Sequence, residues 1–291
     1  MIAILSLLWG GSFFFIAIAA REWPPFTVVL VRVGGGAVVL AGVALAIGHK
    51  VPRSARAWGD YAVMAVLANV LPFVLIVFAQ TLIASGIASV LNASAPLWTV
   101  LIAHAFGTSD KLTAQRVAGV GVGIAGVAVL VGPAAFAGQQ TSVTGMLAMI
   151  VATMSYGFAA LWGRRFQSQP VLVTAAGQLV CAALIVLPLA MVIDKPWTLP
   201  VPSLSACAAM AGLAVLSTAL AFVIFFQILA EVGGTNAMLV TLLVPLSATA
   251  LGVLVLHEPL TGLHIAGGAL IALALLIIDG RVWAMIMHRW P

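Results

Sequence analysis

Ten apolar runs, each close to the length that crosses a bilayer, follow one another along this chain, and the connectors between them hold about a dozen residues at most. A helix needs about 20 apolar residues to span the hydrocarbon. Gly, Pro and charge clusters place the runs at roughly 2–20, 26–47, 58–79, 84–106, 113–131, 143–163, 171–192, 204–226, 234–256 and 262–283. Barrel strands would alternate polar and apolar residues, and these runs do not. Only 7% of the 291 residues are charged, against roughly 25% in a soluble domain, too few to cover a water-facing surface. The sequence predicts an all-α integral membrane protein with ten transmembrane helices.

Loop charge sets the orientation. With the N-terminus in the cytoplasm, the inside connectors and the tail carry Lys50, Arg53, Arg56, Lys111, Arg116, Arg164, Arg165, Arg281 and Arg289, whereas the outside connectors carry only Arg21 and Lys195. That bias follows the positive-inside rule and predicts cytoplasmic termini. Ala17-Ile18-Ala19-Ala20 imitates a cleavage site, but no basic residue precedes it, so the first run is expected as a retained helix. The formal charge of +5 is scattered over short loops and forms no basic stripe with interleaved aromatics, which argues against nucleic acid. Cys181 and Cys207 lie inside apolar runs at no metal or redox spacing. They read as small core residues, and no metal or other cofactor is expected.

The chain also repeats itself. At a constant offset of 149, Leu67, Leu71, Phe73, Val74 and Pro96 fall on Leu216, Leu220, Phe222, Val223 and Pro245. With the offset reduced by one, Val117-Ala118-Gly119 answers Ile265-Ala266-Gly267, and Asp110-Lys111-Leu112-Thr113 answers Glu258-Pro259-Leu260-Thr261. Two five-span repeats follow, residues 1–138 and 139–291. Five is odd, so the second must enter the membrane inverted, the arrangement that lets a carrier open to either side.

Proline-interrupted spans at corresponding positions point to a binding site. Ser85, Ser89, Asn92, Pro96, Thr99 and Ala103 share one face of the fourth span, and Met238, Thr241, Pro245, Ala248 and Gly252 share the matching face of the ninth. Pro96 and Pro245 remove the hydrogen bonds to the carbonyls of Asn92 and Thr241. Backbone acceptors freed inside a bilayer must face protein, water or ligand, so the two kinked faces are expected to enclose a central cavity, with the prolines as hinges. A single such proline is more simply a tolerated packing feature, but a pair in register is not.

Further candidates stand on neighbouring spans. Asn69, Gln80 and Gln227 carry amides that hydrocarbon penalises unless paired. Trp9, Tyr156, Trp98 and Trp162 offer flat apolar walls with one polar edge; Phe222 joins them through the repeat. Arg32, in the second span, is expected to snorkel, pair with a carbonyl or serve coupling. His104 in the fourth span and Glu258 beside a connector are the remaining ionisable candidates for coupling or structure. No Asp or Glu lies in mid-span, so proton coupling has no evident carrier. Gly119, Gly123 and Gly126 give the fifth span a smooth side for contact within the chain, leaving a dimer open but unnecessary.

Leu8-Trp9-Gly10-Gly11-Ser12-Phe13, Arg32, Pro96 followed by Phe106-Gly107 and Asp110, and Pro245 followed by Leu256-His257-Glu258-Pro259-Leu260-Thr261 resemble the drug/metabolite transporter superfamily, specifically its ten-helix group of two EamA-type repeats. The repeat-ending leucine-glycine-glutamate signature is degraded in the first half and has His257 for glycine in the second. The resemblance covers essentially the whole chain. It implies a multi-pass protein of the bacterial inner membrane with its site between spans one, three, four, six, eight and nine, and it is most similar to exporters of aromatic and neutral amino acids. On that footing Asn92, Thr241 and the freed carbonyls hold the ammonium and carboxylate, and the aromatics line the side-chain pocket. Multidrug and nucleotide-sugar-like antiporters of the same superfamily are the alternatives, though the first wants a mid-membrane carboxylate and the second several cavity cations. No enzyme motif stands inside the spans, and a channel would need rings of carbonyls or charge.

Overall fold

A backbone surrounded by hydrocarbon must satisfy its own hydrogen bonds, and the apolar runs do so as helices. The computed structural model describes residues 1–50, 52–106, 113–136, 140–166, 168–225, 227–228 and 239–279. Its rods are α1 Ile2–Ala19, α2 Pro25–Ala46, α3 Ala55–Gln80, α4 Ser85–Ala105, α5 Ala114–Phe136, α6 Gln140–Gly163, α7 Val171–Asp194, α8 Leu204–Phe225, α9 Leu239–Leu256 and α10 Gly262–Asp279. Seven are long and apolar enough to cross a membrane, and α5, α9 and α10 carry shorter apolar stretches. Even the 18 residues of α9 or α10, at about 1.5 Å each, rise roughly 27 Å, which is nearly the hydrocarbon thickness. The expected span limits agree with these to within a few residues; 234–238 and 280–283 lie outside the described residues.

Three rods contain a widened π turn: Val66–Val70 in α3, Ala190–Asp194 in α7 and Val215–Leu220 in α8. In α3 the cause is visible. Pro72 follows directly and has no N–H for the carbonyl four residues back, and the Leu71 N–H reaches to Val66 instead. The α8 turn sits at the repeat position of the α3 turn without any proline nearby. α4 is broken outright, Ser85–Asn92 and Ala95–Ala105 being separated by a turn at 93–94, with Pro96 in the first turn of the second piece. By contrast, α9 runs through Pro245 as one helix. The two matched prolines therefore shape their helices differently.

Neighbour relations recur with the two sets of five exchanged. α1 packs on α9 and α8, as α6 packs on α4 and α3; α2 lies on α8, as α7 lies on α3; α2 with α7, α4 with α9 and α5 with α10 are each self-paired. Two glycines show it in detail. A Cβ on Gly10 of α1 would collide with Ser247 Oγ and lie 2.9 Å from the Ala248 N of α9. One on Gly157 of α6 would lie 3.1 Å from the backbone carbon of Trp98 and 3.2 Å from the Thr99 N of α4, the repeat counterparts of Ser247 and Ala248. Gly119 and Gly126 of α5 meet α10, and Gly123 meets Leu97 of α4, so that smooth side is used within the chain.

At one end of the bundle three carboxylates each cap a helix belonging to the other set of five. Asp194 accepts from the Thr27 backbone N–H (2.6 Å) and hydroxyl (2.9 Å) at the head of α2. Glu258 accepts from the Ser85 N–H (2.9 Å) and hydroxyl (2.8 Å) and the Gly86 N–H (3.1 Å) at the head of α4. Glu22 accepts from the Ser203 N–H (2.7 Å) and hydroxyl (2.5 Å) before α8. A negative group at a helix N-terminus meets orphan N–H groups and the positive end of the helix dipole. These contacts also fix direction, since α7 and α9 end where α2 and α4 begin. At the far end Asp60 of α3 meets Arg165 after α6 at 3.4 Å, and its carbonyl accepts from Trp162 Nε1 at 3.1 Å.

Candidate functional site

The matched turns and the broken helix converge on a cavity of about 410 Å³. α1 contributes Trp9, Ser12 and Phe13; α3 contributes Met64, Asn69 and Phe73; α4 contributes Ser89, Asn92, Pro96 and Thr99. Tyr156, Ser217, Phe222 and Val244 come from α6, α8 and α9, and α2 and α7 add Arg32 and Gln178. Most of the wall is apolar or aromatic, as small-molecule sites are.

Its polar groups are few and incompletely paired. Asn69 and Gln178 are 1% and 7% exposed, and each keeps an amide atom without a hydrogen-bond partner, as do Asn92 and the Ser217 hydroxyl. Ser12, Ser89 and Thr99, in contrast, turn their hydroxyls back onto the carbonyls of Trp9, Gly86 and Ala95. A buried polar group left unpaired costs about 1–3 kcal/mol. Four in one chamber leave polar groups available to whatever enters it, water or solute. An amide can present either its donor or its acceptor end, so Asn69, Asn92 and Gln178 suit either sign of partial charge.

Arg32 is the one strong charge. It is 7% exposed, its Nε donates to Thr218 Oγ1 at 3.2 Å, and its guanidinium carbon lies 3.7 Å from the centroid of the Phe73 ring. No carboxylate among the described residues forms an ion pair with it. Burying a cation forfeits several kcal/mol of hydration, and intramembrane charges accordingly line substrate paths or pair with counter-charges. The cavity thus carries a fixed positive centre. No carboxylate is among its lining residues.

Of the residues singled out from the sequence, Trp9, Asn69, Asn92, Pro96, Tyr156, Phe222 and Arg32 line this cavity. Gln80 is instead at the end of α3 with both amide atoms buried and unpaired, and Trp98 is in α4 with its Nε1 likewise unpaired. Trp162 belongs to the far end, under the Arg165 guanidinium at 3.8 Å. His104, Gln227 and Cys207 are exposed; Cys207 is thus no core residue. Glu258 caps α4, and Pro245 lines a second, apolar hollow of about 340 Å³ among α4, α9 and α10. The Thr241 side chain, like Asp110, Glu231, Arg281 and Arg289, lies outside the described residues. Gln178, Ser217, Phe13 and Phe73 were not singled out as site residues. Gln178 carries the same signal as Asn69, an amide in mid-span, and Phe73 is the repeat partner of Phe222.

The chain matches the EamA-like transporter family over residues 1–132 and again over 143–279. It is 26% identical over 278 residues to Uncharacterized inner membrane transporter YedA of Escherichia coli K12, across 95% of this chain and 89% of that one. It is 24% identical over 278 residues to Uncharacterized transporter YoaV of Bacillus subtilis 168, across 93% of each. With Protein PecM of Dickeya dadantii 3937 it shares 28% over 279 residues, 94% of this chain and 89% of that protein. A crystal structure superposes with a TM-score of 0.68 at 23% identity over 97% of both chains, which is a likeness of fold.

Proposed function

The chain belongs to the EamA-like transporter family, and from that premise we propose that this membrane transporter exports neutral and aromatic amino acids and similar small metabolites. Its two repeats, residues 1–138 and 139–291, would alternate access to the cavity from either side of a bacterial inner membrane, with both termini in the cytoplasm. The carboxylate caps then lie on the outer face, and Asp60, Trp162 and Arg165 on the inner one. The exchange of neighbour relations between the two sets of five helices supports that motion, because one packing scheme serves both halves.

The observation that carries the substrate class is Arg32, a buried guanidinium with no carboxylate partner among the described residues, inside an aromatic cavity. A substrate carboxylate completes it through paired charge-assisted hydrogen bonds. The unpaired amides of Asn92 and Gln178 offer carbonyl oxygens to the ammonium, and Trp9, Phe13, Tyr156 and Phe222 receive the side chain. One methylene on an apolar wall is worth only about 1–3 kcal/mol, so the specificity is broad. An organic-cation antiporter fits poorly, since the cavity presents a cation to a cation.

The test uses purified protein in sealed vesicles loaded with radiolabelled phenylalanine, leucine or alanine, with and without a pH gradient. Saturable efflux of several amino acids is expected, and Arg32→Gln should raise the half-saturation concentration by about 10–100-fold, the equivalent of a charge-assisted hydrogen bond. Asn92→Ala and Trp9→Ala should weaken it less. Efflux of none of them under either condition would overturn the amino-acid assignment.

A further inference from the structure

Arg32 can read a carboxylate only if its guanidinium is held with its fork toward the cavity, and Thr218 is built to hold it. Thr218 is fully buried, and its single hydroxyl proton is committed to the Leu213 carbonyl five residues back, at 2.9 Å. That reach belongs to the widened turn Val215–Leu220; in a regular helix a threonine hydroxyl bonds three or four residues back. With its proton spent, the oxygen can only accept, and the donor it meets is Arg32 Nε at 3.2 Å. Gly36, one turn beyond Arg32, lets the helices close: a Cβ there would lie 2.8 Å from Thr218 Cγ2. Phe73 supports the guanidinium face from the other side at 3.7 Å. Held at its Nε edge and one face, the group presents its two terminal amino groups as a fork.

The matched turn in α3 repeats the device. Asn69 is the fourth residue of Val66–Val70, as Thr218 is of Val215–Leu220, and Phe73 and Phe222 follow each at the same spacing. π turns are short irregularities that recur at functional sites, and here the α3 turn brings Asn69 and Phe73 to the chamber and the α8 turn Ser217 and Phe222, with Thr218 behind the wall at Arg32. We propose that Thr218 is the positioning residue of the substrate-carboxylate subsite, fixing the Arg32 fork so that the carrier distinguishes a free carboxylate from its neutral amide or ester. This rests on the amino-acid reading above and names which end of the substrate the protein reads.

The experiment compares phenylalanine with phenylalanine amide in reconstituted wild type, Thr218→Val and Thr218→Ser. Wild type should prefer the acid. Thr218→Val, nearly the same shape without the hydroxyl, should raise half-saturation for the acid about 10-fold, change the maximal rate less, and erase the preference. Thr218→Ser should restore it. A preference unchanged in Thr218→Val, or lost equally in Thr218→Ser, would overturn the proposal, because a packing role alone would not follow the hydroxyl. A second readout is independent of transport: the ¹⁵N–H signal of Arg32 Nε in detergent, identified by its loss in Arg32→Lys, titrated with benzoate. A shift in wild type that Thr218→Val weakens supports the fork even if no amino acid is moved, in which case the amino-acid reading alone fails. An equal shift in wild type and Thr218→Val, or none in wild type, overturns the positioning role.

Discussion

The carboxylate of Glu258, just past α9, takes both the backbone N–H and the hydroxyl of Ser85 at the head of α4, at 2.9 and 2.8 Å. Gly252 makes room for it, since a Cβ there would stand 2.5 Å from the carboxylate oxygen. The bond therefore joins α9 to α4 at the capped end, directly above the break in α4.

Glu258→Gln should loosen that end and leave the far end intact. Hydrogen bonds to a charged group contribute about 1.5–3 kcal/mol, so the open fraction at the capped end should rise about 10-fold or more. Labelling of a cysteine placed at Ser89, in a background with Cys181 and Cys207 replaced, measures this with an impermeant reagent applied from each side. Equal labelling of the variant and its parent from the outer side would remove Glu258 from the closure.

Acid should release the Glu22 cap only well below neutrality. The Ser203 hydroxyl and backbone N–H hold the Glu22 carboxyl below the usual range. Because its folded value is the depressed one, its contribution is complete above the unfolded carboxylate value, about 4.3, and fades as pH falls through the folded value. Thermal unfolding of wild type and Glu22→Gln should therefore differ by a constant amount near neutrality and converge only below about pH 4. Convergence already between pH 5 and 7 would contradict the assignment.

Gly10→Ala should destabilise the seam between α1 and α9, because the added carbon meets Ser247 Oγ and the Ala248 backbone rather than a yielding side-chain tip. Overpacking of this kind costs about 1–3 kcal/mol. Gly42→Ala, where nothing lies within 4 Å, is the control, and better helix propensity should make it neutral or stabilising. Thermal unfolding in one detergent ranks the two.

The two prolines should respond differently to alanine. Pro245 lies inside a continuous helix, where proline costs about 3 kcal/mol, so Pro245→Ala should raise thermal stability and slow turnover by straightening a helix that has to bend. Pro96 stands in the first turn after a break, a position that tolerates proline, and Pro96→Ala should change stability much less. Equal gains in both would mean that the break in α4 carries no consequence.

The rods were legible because hydrocarbon leaves a chain only one way to satisfy its backbone, and the repeat because Leu67, Phe73 and Pro96 have counterparts at one offset. Asn69, Asn92 and Phe222, which line the cavity, stand at positions of that repeat, and Trp9 was reached as an aromatic side chain inside its span. What stayed hidden depends on rotation about a helix axis. Trp98 and Trp162 have the right chemistry on the wrong faces or at the wrong depth, and Gln80 lies a few turns from the cavity on the same rod as Asn69. Arg32 could be placed within its helix, but its partner could not, since Thr218 reaches it only through a π turn that no proline announces in α8. The difference between Pro96 and Pro245 is likewise invisible in sequences that match.

The three carboxylate caps have a consequence in time rather than in shape. Each cap stands at a helix end, with Thr27 and Ser85 buried and Glu22 and Ser203 exposed, and in the alternating access proposed above water would replace its hydrogen bonds when the helices part. Asp194 and Glu258, the two partly sheltered ones, bias closure by a few kcal/mol between them. An imbalance of that size leaves the minor form at about 0.1–10% of molecules. In the alternating access proposed above, such a population would be rare enough to keep the membrane sealed and frequent enough for thermal motion to reset the transporter.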